Sequence, residues 1–148
     1  MSKAAASRRI LAAFLAVSLP AGGAALAQEP ASALSLRLEF NGLEPSAAGC
    51  RLTFVVENGL GAALDRAAFE IVLFNRDGLV DRLTVLDFKD LPSGKTKVRQ
   101  FDLPNADCAG IGRVLVNDAV ACEGEGVEPS ACIRNLKAET RSDISFGS

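Results

Sequence analysis

The sequence predicts an all-β fold, a small, disulfide-stabilised antiparallel β-sandwich of six to seven strands. Three observations predict it. Apolar residues recur with a period of two over short runs. Gly, Pro, Asn and Asp interrupt those runs at a spacing of roughly 8–15 residues, as in sheet proteins built from short strands. Four Cys (Cys50, Cys108, Cys122 and Cys132) lie among the runs, an even number that suits two disulfides.

Each run reads as follows. Leu34, Leu36, Leu38 and Phe40 alternate with Ser35, Arg37 and Glu39, which predicts a half-buried strand ending at Asn41-Gly42. Cys50, Leu52, Phe54 and Val56 repeat the pattern, and Asn58-Gly59-Leu60-Gly61 breaks it. The alanine-rich stretch Leu60–Phe69 is flanked by glycines and predicts a loop or a single turn. Phe69, Ile71 and Leu73 interleave with Val72 and Phe74, so this strand is apolar on both faces and is expected at the centre of a sheet. Asn75-Arg76-Asp77-Gly78 is a hairpin turn, with Gly supplying positive φ. A strand over 79–88, a turn at Leu91-Pro92-Ser93-Gly94-Lys95, a strand over Thr96–Leu103, a loop over Pro104–Gly112, and strands at Arg113–Val116 and Ala119–Cys122 complete the set. Leu, Val, Ile and six Phe (Phe40, Phe54, Phe69, Phe74, Phe88 and Phe101) are the expected core.

The N-terminal segment follows a different logic. Lys3, Arg8 and Arg9 precede an apolar or small run from Ile10 to Leu19, then Pro20, Gly22 and Gly23, then Ala25-Leu26-Ala27. This is the order of a secretory signal peptide over residues 1–27. The apolar run is well short of the roughly twenty residues that a membrane span needs. Ser7-Arg8-Arg9-Ile10-Leu11 partly resembles a twin-arginine export signal, and the same charges also suit the general secretory route. Residues 28–33 then form a short linker, 34–133 the sandwich, and 134–148 an expected mobile C-terminal tail. Of 148 residues, removal of 27 leaves 121. The leader takes three of the sixteen basic residues and none of the eighteen acidic ones, leaving a net charge of 13 − 18, or −5. Such acidity disfavours nucleic acid, whose binding rests on neutralised phosphates, and gives no reason for stable membrane association after cleavage.

Behind an export signal, Cys50, Cys108, Cys122 and Cys132 read as two structural disulfides. Three connectivities are possible. Cys122 and Cys132 flank a Gly- and Pro-containing stretch that closes easily, which favours that pair and leaves Cys50 with Cys108. No Cys-x-x-Cys occurs, so zinc and redox readings lack their usual spacing.

The chain has no His, Trp or Tyr, and its single Met is Met1. Triads that need His, His-type zinc sites and His-based pH switches are excluded for this chain alone. Ser-x-x-Lys and Gly-x-Ser-x-Gly are missing from the mature chain. Glu57 and Glu70 are expected to face solvent and not to converge as a catalytic pair. Asn75–Gly78 fails the calcium-loop spacing, because Leu73 and Thr84 would occupy the first and last ligand positions. Gly110-Ile111-Gly112 lacks a third Gly and is expected to let the backbone pass close to a neighbour or bend into the next strand. Lys95, Lys97 and Arg99 alternate along one strand face and are expected to be a solvated face or a protected edge. No catalytic residue, metal ligand or cofactor is expected.

Val55-Val56-Glu57-Asn58-Gly59-Leu60-Gly61, Val72-Leu73-Phe74-Asn75-Arg76-Asp77-Gly78, Leu91-Pro92-Ser93-Gly94-Lys95-Thr96-Lys97-Val98, Phe101-Asp102-Leu103-Pro104 and Cys108-Ala109-Gly110-Ile111-Gly112-Arg113-Val114-Leu115-Val116-Asn117-Asp118 together resemble a family of small exported bacterial proteins. These are labelled Tat pathway signal sequence domain proteins. The resemblance spans about residues 34–132 and implies export without assigning an activity. The order of turn motifs also resembles Ig-like or fibronectin-like modules, which is an analogy of fold alone. The resulting expectation is a periplasmic or secreted, non-enzymatic binding or structural module that contacts another envelope protein, for instance by strand addition at a sheet edge. The alternatives are a carrier of a small ligand in a cleft of the sandwich and, last, a carboxylate-dependent enzyme.

Overall fold

A computed structural model describes residues 33–148. The expected leader, and the linker up to residue 32, lie outside the described residues. The strands are β1 (Ser35–Pro45), β2 (Gly49–Gly59), β3 (Leu64–Asn75), β4 (Val80–Leu91), β5 (Thr96–Pro104), β6 (Ile111–Glu123), β7 (Leu136–Thr140) and β8 (Ser145–Gly147). They form two four-stranded sheets, in the orders β5-β2-β1-β7 and β4-β3-β6-β8. The all-β sandwich is therefore as expected, with eight strands where six to seven were predicted.

The alternation read from the sequence sets which face each strand buries. Leu36, Leu38 and Phe40 of β1 and Leu52, Phe54 and Val56 of β2 are all fully buried. From the second sheet come Phe69, Ile71 and Leu73 of β3, Phe88 of β4, and Val114 and Val116 of β6. Rings fill the space between the sheets. Phe54 lies 5.3 Å from Phe40, 5.5 Å from Phe88 and 6.0 Å from Phe101 between centroids. As expected, β3 is central, between β4 and β6.

Several expectations need correction. The strands predicted at Arg113–Val116 and Ala119–Cys122 are one strand, β6, whose register shifts against β3 near Glu70 and Phe69. Bulges absorb the polar interruption Asn117-Asp118 without ending the strand. The loop after Gly59 is shorter than expected, because Leu64 already pairs with Leu91. Phe74 is not a core ring. It shares the outer face with Val72, is only half-buried, and carries the Arg113 guanidinium 5.2 Å from its ring centroid.

The C-terminal segment is the largest correction. Residues 134–148 were expected to be a mobile tail, yet β7 runs parallel to β1 and β8 runs parallel to β6. The sandwich is thus mixed, and not purely antiparallel. The physical cause is apolar cover. Phe146 lies 5.9 Å from Phe40 and 5.8 Å from Phe54, so it completes the ring cluster. Backbone bonds from Leu36 N to Asn135 O and from Arg141 N to Phe40 O fasten both ends of β7 to β1.

The two disulfides join Cys50 to Cys108 and Cys122 to Cys132, with Cα separations of 5.1 and 5.8 Å. The first ties β2 of one sheet to the 3-10 turn Cys108–Gly110 that leads into β6 of the other. The second holds the one-turn helix α1 (Ala131–Arg134) against β6, just before β7.

Candidate functional site

The residues with catalytic chemistry are dispersed. Glu57 lies on the first sheet and accepts from Arg37 at 3.4 Å. Glu70 lies on the second sheet and accepts from the Asn117 amide at 2.6 Å. The two do not converge. Among the described residues, no group of three Cys, Asp or Glu side chains is gathered as a metal ion would require. Cys50, Cys108, Cys122 and Cys132 are all consumed in disulfides. Asn75–Gly78 is a turn, in which Asn75 Oδ1 accepts from the backbone N–H of Asp77 and Leu79. Gly112 allows the close approach expected of it, since a Cβ there would lie 2.7 Å from Asn75 O.

The outer face of the first sheet is a network of satisfied charges. Across β1–β2 and β2–β5 the facing charges are opposite in sign, which suits directly facing sheet positions, whereas β1–β7 sets Arg37 beside Lys137 and Glu39 beside Glu139. Arg37 bridges Glu57 and Glu139, and Arg51 bridges Glu44 and Asp102. The hydrogen bond from Arg51 holds the Asp102 carboxyl below the usual carboxylate range, and Asp102 in turn raises the Arg51 guanidinium. Glu39 is likewise lowered, first by its hydrogen bond from Arg141 and then by Asn41. These pairs bring β1, β2, β5, β7 and the segment after β7 together. Lys137, beside Arg37 on the same face, is exposed and makes no ion pair among the described residues.

Of the three basic residues, Lys95 lies exposed in the turn before β5, and Lys97 and Arg99 form the protected edge, one of the two outcomes expected. They stand opposite Val56 and Phe54 in the β2–β5 register, so they lie on the inner face of edge strand β5. From there they reach across to β4. Arg99 donates to the backbone oxygens of Phe88 (2.7 Å) and Asp90 (3.0 Å), and Lys97 meets Asp90 at 2.7 Å. The hydrogen bond from Lys97 lowers the Asp90 carboxyl. Arg82 returns the link, donating to Pro104 O. Inward charges of this kind discourage a foreign strand from pairing with β5.

The outer face of the second sheet has the opposite character. Register places Leu83, Val72 and Leu115 in one row across β4, β3 and β6. Val80 and Phe74 lie in the row on one side, ending at Arg113. Val85 and Glu70 lie in the row on the other, ending at Asp118. Leu83 is 56% exposed, Val80 55% and Val85 52%. This apolar face ends on β4, itself an edge strand. The backbone of Val80–Leu86 makes no hydrogen bond outside the β3 ladder among the described residues. The sequence reading missed this surface. Its signal was present, since the run Val80-Asp81-Arg82-Leu83-Thr84-Val85-Leu86-Asp87-Phe88 has apolar residues at both parities.

In comparisons with protein-family models, curated proteins and solved structures, nothing matches this chain.

Proposed function

We propose that this chain is an exported, non-enzymatic binding module that contacts another envelope protein by accepting its strand at the β4 edge. The observation that carries the reading is the open run Val80–Leu86. The other three edges are blunted. β5 carries two inward charges, Lys97 and Arg99, whereas the open run of β4 carries one, Arg82, which stands opposite core residue Leu73 and reaches to Pro104 O; β7 and β8 are five and three residues long. On β4, Arg99 occupies the outward carbonyls of Phe88 and Asp90 and stops short of Leu86. A long, apolar and unpaired edge is otherwise an aggregation hazard. Its retention is explained if a partner strand covers it. Export is supported by the signal-like N-terminal sequence, by two disulfides that suit an oxidising compartment, and by the resemblance to Tat pathway signal sequence domain proteins. The ligand-carrier alternative needs room between the sheets, and there Phe40, Phe54, Phe88, Phe101 and Phe146 are in ring contact.

The test is in-cell photo-crosslinking from Asp81, at the edge, with Val55 on the opposite sheet as control. A discrete adduct from Asp81, lost in Thr84→Lys, is expected. Thr84 stands opposite core residue Ile71, so the new Lys adds a second inward charge beside Arg82 and gives β4 the pair of inward charges that guards β5. Equal labelling from both positions, or an Asp81 adduct indifferent to Thr84→Lys, overturns strand acceptance.

A further inference from the structure

We infer that the outer face of the β4-β3-β6-β8 sheet is the interface of a two-fold homodimer. The face is apolar along its middle row, Leu83–Val72–Leu115, and charged with opposite sign on its two sides. Arg113 ends the row on one side. Glu70 and Asp118 stand opposite each other in the row on the other. None of these charges meets an opposite charge among the described residues. Arg113 makes no ion pair among the described residues and rests over the Phe74 ring. Among the described residues Glu70 accepts only from the neutral Asn117 amide, and Asp118 only from the backbone N–H of Ala119. This contrasts with the other sheet, where Arg37 and Arg51 are each shared between two carboxylates.

A two-fold axis in the interface, along the middle row, resolves all of these features together. It sets exposed Leu83 and half-buried Leu115 on their copies, over Val72, which its own neighbours already bury. It exchanges the two flanking rows, so Val80 meets the second copy's Val85, and Arg113 meets the second copy's Asp118 and Glu70. Symmetry then makes each charge contact twice, as a self-complementary surface requires. A heterologous partner would have to supply both an apolar centre and the inverse charge order, which a second copy supplies by construction. Face-to-face stacking also leaves both β4 edges open, so dimerisation and strand acceptance are separable.

The test is sedimentation equilibrium of the oxidised mature protein from low to high micromolar concentration, with far-UV circular dichroism to establish folding. A monomer–dimer equilibrium is expected. Leu83→Lys, at a half-exposed position that bears no core load, weakens it by about a hundredfold, because it sets like charges on the axis. Arg113→Glu weakens it by about tenfold or more, and adding Asp118→Arg to that variant restores most of the loss. A monomer throughout the range overturns the inference. So does a dimer unchanged by Leu83→Lys, or a loss in Arg113→Glu that Asp118→Arg does not rescue. In each of these outcomes the Asp81 crosslink remains an independent readout of the edge.

Discussion

Asn58 shows how much one polar side chain can organise. It is fully buried. Its Nδ2 donates to Ala62 O at 2.9 Å and Leu91 O at 2.7 Å, and its Oδ1 accepts from Leu60 N at 3.0 Å. Its backbone oxygen also accepts from Gly94 N. One residue therefore fixes the β2–β3 loop and the β4–β5 turn. Asn58→Ala orphans the buried carbonyl of Leu91 and the N–H of Leu60. It is expected to cost about 1–3 kcal/mol in urea unfolding, the scale of an unsatisfied buried group. The sequence marked Asn58-Gly59 only as a strand breaker, because its side-chain partners lie up to 33 residues away. Gly110-Ile111-Gly112 was more legible. Gly112→Ala must displace Asn75 O and Arg76 Cα, at 2.7 and 2.9 Å from the new Cβ, whereas nothing lies nearer than 3.9 Å at Gly110. Thermal unfolding should show Gly112→Ala clearly destabilised and Gly110→Ala near wild type.

Among the elements, the two disulfides differ in the chain they enclose, with sequence separations of 58 and 10. The chain-entropy model gives roughly 4 kcal/mol for the long loop and roughly 3 for the short one. The shorter bond also holds α1 against β6, immediately ahead of β7. Deleting residues 136–148 removes two strands and uncovers Phe40 and Phe54. The truncated chain should unfold at markedly lower urea, and Phe146→Ala alone should cost about 2–3 kcal/mol, somewhat below the value for a fully buried ring. A truncation as stable as the parent would reinstate a free tail. These strands were illegible for a physical reason. Leu136–Thr140 and Ser145–Gly147 are too short to establish a period, and their pairing with β1 and β6 depends on contacts far apart in sequence. The strand β4 was legible as a strand but not as an edge. Apolar residues at both parities mark a central strand in β3 and an exposed face in β4, and only the register tells them apart.

At the scale of the molecule, the missing His has a direct consequence. No side chain has its ordinary pKa between about 5 and 8, so stability should be flat from about pH 5 to pH 7. Below that the sign is set by Glu39, Asp87, Asp90 and Asp102, all held below the usual carboxylate range by donors in the fold. For Asp87 the leading donor is the backbone N–H of Lys89. A carboxyl lowered in the folded state adds stability above its unfolded value, near pH 4, and loses it as pH falls through the folded value. Urea midpoints should therefore drop below about pH 4, and Glu39→Gln should flatten the drop. The charges that cause this are paired inside the fold, and the proposed strand acceptance rests instead on the open backbone edge of β4. Hydrogen exchange tests that claim most directly, measured on the oxidised protein alone and then saturated with the chain captured from Asp81. The account predicts that the outward-facing amides of Val80–Leu86, those not bonded to β3, exchange fast and become protected on binding while β7 and β8 stay unchanged. Outward-facing amides of this run that are already protected in the free protein, or that do not change on binding, would contradict it.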